Sequence, residues 1–450
     1  MPRLYALAVP LALTAVAGCT THADRLQDIR ANYHSGNLAG AKAKIDEGIA
    51  KNGREGDVLK LDRAMVLLTE GRPREAEALL REVRDRFEDK EGKDMAEGAL
   101  SLLTDDQQLA YAGEDHEKVL IRVMLALCNL MADGSDAAAY ALQANQKQQL
   151  IIEKSKSTDK DGKNLKANYK LVPAGAYLHA ALREETHTNY DDVARSLELV
   201  AKWQPDFAPI KQDLERARSG HHSKPGHGVV YVFALVGRGP YKEEKSEIAT
   251  TAALLIADRI LSAAGKQSVP PTLAPIKVPR VVRPINSVAC VNVNVAGNGG
   301  GRTQTITDVG QMAAEQCDAL LPDTLARAVV RRVVKKGIVY GVKEAAGVDK
   351  SMGASLALNA AGVIWEATES ADTRCWGLLP DKIQVLRLEL PAGEHTMSLQ
   401  PMGKSGQHIG AAEGIKVQVR DGRNTYLLGN FPDAKLAGKL VTNGTLPATK

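Results

Sequence analysis

Large aromatic side chains are scarce: Phe, Tyr and Trp together make up 4% of the 450 residues. Cores built from this chain must rest on Ala, Leu and Val, with few large anchors. Cysteine is scarce as well. None of the five stands at C-x-x-C spacing, which argues against zinc ribbons and thioredoxin-like redox chemistry. Past the N-terminal segment no apolar run reaches the roughly 18 residues of a membrane span. A large excess of one charge is missing too. A net charge of +4 is small for this length and gives no footing for a nucleic-acid partner. No GK[ST] phosphate loop, G-x-S-x-G elbow or H-E-x-x-H helix occurs, and no S-x-x-K pair sits in a convincing context. Past residue 229 the histidines are His395 and His408, both in a β-rich tail, a poor basis for a His-based triad. The sequence therefore assigns no catalytic residue, no metal ligand set and no cofactor.

What the chain does have begins at its N-terminus. Arg3 is followed by an apolar core from Leu4 to Val16, broken by Pro10 and Thr14. That core is too short to anchor in a bilayer and reads as a cleaved export signal. Val16-Ala17-Gly18-Cys19 resembles the lipobox of bacterial lipoproteins, which implies a diacylglyceryl group on Cys19. Residues 1–18 are then the signal peptide and 19–23 a short lipidated tether. Thr20 stands where an aspartate would resemble the inner-membrane retention signal. The expected place is the cell envelope, at the periplasmic face of the outer membrane. An oxidising compartment permits disulfides. Cys128, among Leu125, Leu127 and Leu130, reads as a small buried hydrophobe, while a bridge between two of Cys290, Cys317 and Cys375 stays open.

Residues 24–218 read as all-helical with an internal repeat. Gly36-Asn-Leu-Ala-Gly-Ala41 and Gly71-Arg-Pro-Arg-Glu-Ala76 lie 35 residues apart. In each the glycine ends one helix, and the alanine starts the buried stripe of the next. Gly134 and Ala139 repeat the offset, and Ala174–Leu182 with Ala194, Leu197 and Val200 forms a last unit before Pro205. This pattern resembles the tetratricopeptide repeat. Lys154 to Lys170 carries six lysines and no apolar cluster, and reads as a solvated, mobile loop. Ser219–Gly228 reads as a linker, with His221, His222 and His227 solvated and not metal-bound.

Residues 229–450 read as an α+β domain. Val229–Val236 predicts a buried central strand, and a helix is expected over Ser246–Ala264. An extended segment at Lys277–Arg283 and a half-buried strand at Val288–Val295 follow. Gly297–Gly301 reads as a flexible turn. Pro322 and Asp323 predict the start of a long helix reaching about Ala346, paired with a second around Ser351–Ala371 in an antiparallel hairpin. Four short strands close the chain: Ile383–Leu390, Thr396–Leu399, Ile415–Val419 and Thr425–Leu428. They predict a small sandwich or sheet packed on that hairpin. The fold class is multidomain, with an all-α tetratricopeptide-like repeat domain followed by an α+β domain holding a helical hairpin and a β-sandwich-like sheet.

Glu366, Glu369 and Asp372 stand at i, i+3, i+6, near one face of the predicted helix end, where an ion-pair cluster with Arg374 is expected. Trp376 reads as a core anchor. The candidate functional cluster is thus Glu369, Asp372, Arg374 and Trp376. Gly113–Val119, Gly226–Val232, Gly239–Lys245, Glu369–Pro380 and Leu388–Gly393 together are similar to a group of uncharacterised bacterial lipoproteins with tetratricopeptide-like N-terminal halves. That resemblance implies the architecture and the envelope location, not a chemistry. The expected function is a non-enzymatic, lipid-anchored envelope scaffold or adaptor binding a protein partner through its repeats. Its other contacts are the membrane through its lipid and, as a further option, the cell wall. The alternative is a regulator or enzyme of peptidoglycan metabolism with a site in the C-terminal domain.

Overall fold

Glycine punctuates the first half of the chain. The computed structural model describes residues 22–51, 53–97, 111–263, 275–345 and 370–444. Cys19, Glu366, Glu369 and most of the second predicted long helix lie outside them. Among the described residues the first helices are α1 (His22–His34), α2 (Leu38–Ala50), α3 (Gly56–Thr69), α4 (Pro73–Glu97) and α5 (Asp115–Leu130). They are followed by α6 (Ala137–Glu153), α7 (Pro173–Glu184), α8 (Tyr190–Trp203) and α9 (Ile210–Arg218). Gly36, Gly71 and Gly134 end α1, α3 and α5 with φ of +84°, +74° and +76°, a left-handed backbone that only glycine adopts without steric cost. At the α7–α8 turn that conformation falls to His187 and Asn189. Each helix packs on the next along the chain, which gives a stack of helical hairpins.

Burial separates the helices into two layers. The even-numbered helices bury a single stripe, such as Ala41 and Ile45 in α2 or Ala76, Leu80 and Val83 in α4. The odd-numbered α5 and α7 are apolar nearly all round: every residue from Val119 to Leu130, and from Pro173 to Ala181, is buried. A helix of that kind is covered on both sides. The second cover is a mixed sheet of β1 (His227–Arg238), β6 (Gln304–Asp308), β7 (Pro380–Pro391), β10 (Asn424–Phe431) and β11 (Val441–Thr442). Its order is β11-β10-β1-β7-β6, with β1 parallel to β10 and antiparallel to β7.

β1 is buried on both faces. Val229, Tyr231, Phe233 and Leu235 join the core of the helices, while Val230, Val232, Ala234 and Val236 join a second core. The second core is closed by an antiparallel sheet of order β5-β4-β8-β9, from β4 (Val288–Val295), β5 (Gly299–Arg302), β8 (Gly393–Gly403) and β9 (Glu413–Val419). A third core joins α10 (Thr251–Ala263) and α11 (Val309–Ala345) to the hairpin of β2 (Tyr241–Glu247) and β3 (Ile276–Val282). The described chain is thus layered as outer helices, inner helices, mixed sheet and antiparallel sheet.

Several expectations change. The helical half and the sheet share one apolar core. The segment between them is packed: His222 Nε2 bonds Asn424 Oδ1 at 2.8 Å, and a Cβ on Gly228 would meet the Arg420 carbonyl at 2.2 Å. The four C-terminal strands do not form a sheet of their own. β7 and β10 flank β1, whereas β8 and β9 extend β4. The helix expected from Ser246 starts at Thr251, after β2. α11 starts at Val309 with Pro322 inside it, because the Asp308 carboxylate accepts the Gln311 N–H at 2.8 Å and caps the earlier start. The lysine-rich loop is pinned. Ser157 donates to Asp323 at 3.0 Å, Lys166 pairs with Asp115 at 2.6 Å, and Asn164 donates to the Ile152 carbonyl at 2.8 Å. Cys128, Cys290, Cys317 and Cys375 are free thiols.

Candidate functional site

Ala371 to Leu379 runs as an extended strap across the inner helices before entering β7. Its main chain is held by buried side chains of α1, α3 and α5. The Trp376 N–H donates to Glu117 Oε1 at 2.6 Å, and the Leu378 N–H donates to Asp62 Oδ1 at 2.9 Å. The Arg30 guanidinium donates to the Gly377 carbonyl and to the Gly239 carbonyl, the latter at 2.9 Å. At the strap's start, the Ala371 N–H donates to Glu244 Oε2 at 2.8 Å. Glu117 also accepts from the Tyr111 hydroxyl and from the Glu114 N–H, the latter completing a capping box at the start of α5.

Asp372 and Arg374 face each other within this strap. Arg374 Nε and Nη2 donate to the two Asp372 carboxylate oxygens at 2.8 and 2.7 Å, a bidentate pair. Nη1 donates to the Arg54 carbonyl at 3.2 Å, and the guanidinium lies over the Tyr111 ring, 5.3 Å from its centre. Burial would raise the Asp372 carboxyl, but the hydrogen bonds from Arg374 and the charges of Lys242 and Arg374 hold it below the usual range. Burial would likewise weaken the charge on Arg374, and Asp372 more than restores it. Asp62 has less support. Burial pushes its carboxyl up to about 8, against the Leu378 N–H and the Arg30 charge, and its Oδ2 has no hydrogen-bond partner. Burial pushes the Cys375 thiol up to about 12.

A cleft of about 720 Å³ opens beside the pair, walled by Arg54, Glu55, Glu244, Lys277, Asp372 and Arg374 among others. Several of its charges are paired: Arg25 with Glu55, and Lys277 with Glu244 at 2.9 Å. An ionised carboxylate clasped by arginine is a poor proton donor and a weak base, so the pair acts as a positioning clasp for the strap. Trp376 sits in the main core at 1% exposure, its indole N–H without a partner. Among the described residues no group of three His, Cys, Asp or Glu side chains is placed to hold a metal ion. Of the candidate cluster, the structure therefore joins Asp372 and Arg374, puts Trp376 in the core, and leaves Glu369 outside the described residues. Sequence reasoning missed Asp62 and Glu117. A lone carboxylate amid Leu59, Leu61, Ala64 and Met65 was the available signal for the first, and the Glu114–Glu117 capping pair for the second.

Searches against protein-family models, curated proteins and solved structures return no match.

Proposed function

We propose that the protein is a lipid-anchored scaffold or adaptor of the bacterial cell envelope. It is tethered through Cys19 at the periplasmic face of the outer membrane and binds a protein partner through tetratricopeptide-like repeats. The lipobox pattern supports the anchor, and the stacked hairpins with left-handed glycines at their turns support the repeats. In tetratricopeptide arrays the inner helices line the groove that takes a partner. Here that face carries the strap and the mixed sheet, so the partner meets the outer layer.

One observation carries this choice of surface. On α6, Leu142 and Leu150 are 44% and 42% exposed, eight residues apart on one side of the helix, with Gln146 and Gln149 between them. Deleting residues 24–218 would strip the shared core, so the test uses surface substitutions. Partners are recovered from solubilised envelopes with the wild-type chain and with Leu142→Glu/Leu150→Glu. The double variant is expected to fold and to lose the partner. Equal recovery would overturn the outer-layer reading. The peptidoglycan-enzyme alternative draws no support from Asp372 and Arg374, which are engaged with each other.

A further inference from the structure

A second cavity, about 290 Å³, runs along α1 where it meets the end of β1 and the start of β2. Its charged lining is unbalanced: Arg30, Arg238 and Lys242 stand with His34 against a single carboxylate, Glu243. Lys242 is paired with Glu114, and Arg30 is committed to two carbonyls. Arg238 is only partly offset: it feels the Asp433 carboxylate at a distance. Among the described residues its guanidinium joins no ion pair, and its side-chain hydrogen bond goes from Nη2 to the Ile285 carbonyl at 2.9 Å. Its Nε is buried with no acceptor. Two guanidinium groups face one cavity, and Arg238 is offset only at a distance by the Asp433 carboxylate, so an anion between them would relieve their repulsion.

We propose that this cavity binds a small oxyanion of the phosphate class, with Arg238 as its principal donor and Arg30 supplying charge from behind. Its volume, just under the roughly 300–1,000 Å³ of drug-sized pockets, is ample for a phosphate group together with water or the small moiety that carries it. His34 reports the same field. Burial first, then the charges of Arg30 and Arg238, push its imidazole down to about 3, with Asp433 opposing, so the ring is neutral at pH 7. A bound anion would raise it.

Free phosphate and a phospholipid head group share this chemistry. The lipid source rests on the lipid-anchor proposal, since Arg30 lies only about 12 Å along α1 from His22, at about 1.5 Å per residue. The cavity itself does not rest on that proposal. The test titrates the full chain and its Arg238→Gln variant with inorganic phosphate by calorimetry, and with phosphatidylglycerol vesicles by co-sedimentation. The leader and anchor are common to both chains and cancel in the comparison. Arg238→Gln is expected to weaken binding of at least one probe about tenfold. Glu243→Gln, at an exposed position, is expected to tighten the same probe about two- to threefold, and the bound probe to raise the His34 titration seen by NMR. Dependence on Arg238 in the phosphate arm assigns a free anion, and dependence in the vesicle arm alone assigns a head group. If neither probe responds to Arg238→Gln while the variant stays folded, the proposal is overturned, whatever becomes of partner recovery by the α6 variants.

Discussion

Replacing Asp62 by Asn should make the protein less sensitive to alkaline pH. Asp62 is fully buried in α3, accepts the Leu378 N–H at 2.9 Å, and is pushed up to about 8 by burial. An unfolded aspartate titrates near 3.9. Between about pH 4 and pH 8 the unfolded chain therefore releases a proton that the folded chain keeps. The unfolded state then binds fewer protons, so this group's contribution is fully present at low pH and is lost as pH rises toward 8. The slope is about 1.4 kcal/mol per pH unit, or roughly 4 kcal/mol between pH 4 and pH 7. The asparagine side chain would keep the size and the acceptor for Leu378 and remove the titration. Glu185 and Asp381, also raised by burial, add slopes of the same sign, but they are common to both chains and cancel in the difference. The assay is urea unfolding of both chains at pH 5, 6, 7 and 8, followed by tryptophan fluorescence. Asp62→Asn should gain on the wild type by about 1 kcal/mol or more per unit as pH rises. A difference that stays flat over this range would refute the placement of Asp62 as a buried, neutral acid beneath the strap.

Two further outcomes follow from the strap and the shared core. Trp376→Ala removes the largest fully buried side chain among the described residues and should cost about 3–5 kcal/mol, read as a lower urea midpoint. An effect below about 1 kcal/mol would mean that the strap does not seal the core. Gly438 has φ +70°, and a Cβ there would lie 2.1 Å from the Thr69 carbonyl oxygen of α3. Gly438→Ala should therefore lower the melting temperature more than Gly134→Ala, which has similar φ but open space and loses only about 1–2 kcal/mol to the left-handed backbone. Equal losses would place Gly438 away from α3.

Local chemistry made much of this legible in the sequence. The unbroken apolar run at Val229–Val236, rich in valine and aromatics, marks a strand buried on both faces, and it lies at the centre of its sheet. The glycines at 36, 71 and 134 mark helix ends because the left-handed backbone excludes most other residues. Asp372 and Arg374 are two residues apart, so their pairing needs nothing distant. What stayed hidden depends on long-range packing. β1 pairs with β10 across nearly two hundred residues, in a parallel register that no turn residue announces. Pro322 pointed to a helix start, since its missing N–H is harmless there, yet the preceding turns supply enough hydrogen bonds to carry the helix through it. Asp62 and Glu117 become strap ligands only when a segment more than 250 residues away lies over them. The inner face of the stacked helical hairpins is covered by the same long-range event.

Site-specific photo-crosslinking in intact envelopes tests the outer-layer scaffold most directly. A photoreactive residue is placed at Leu150 on α6 and, as a control, at Thr396 on β8, both exposed. A discrete protein adduct is expected from Leu150, and none of that mass from Thr396. An adduct confined to Thr396, or none from either position, would contradict the outer-layer scaffold.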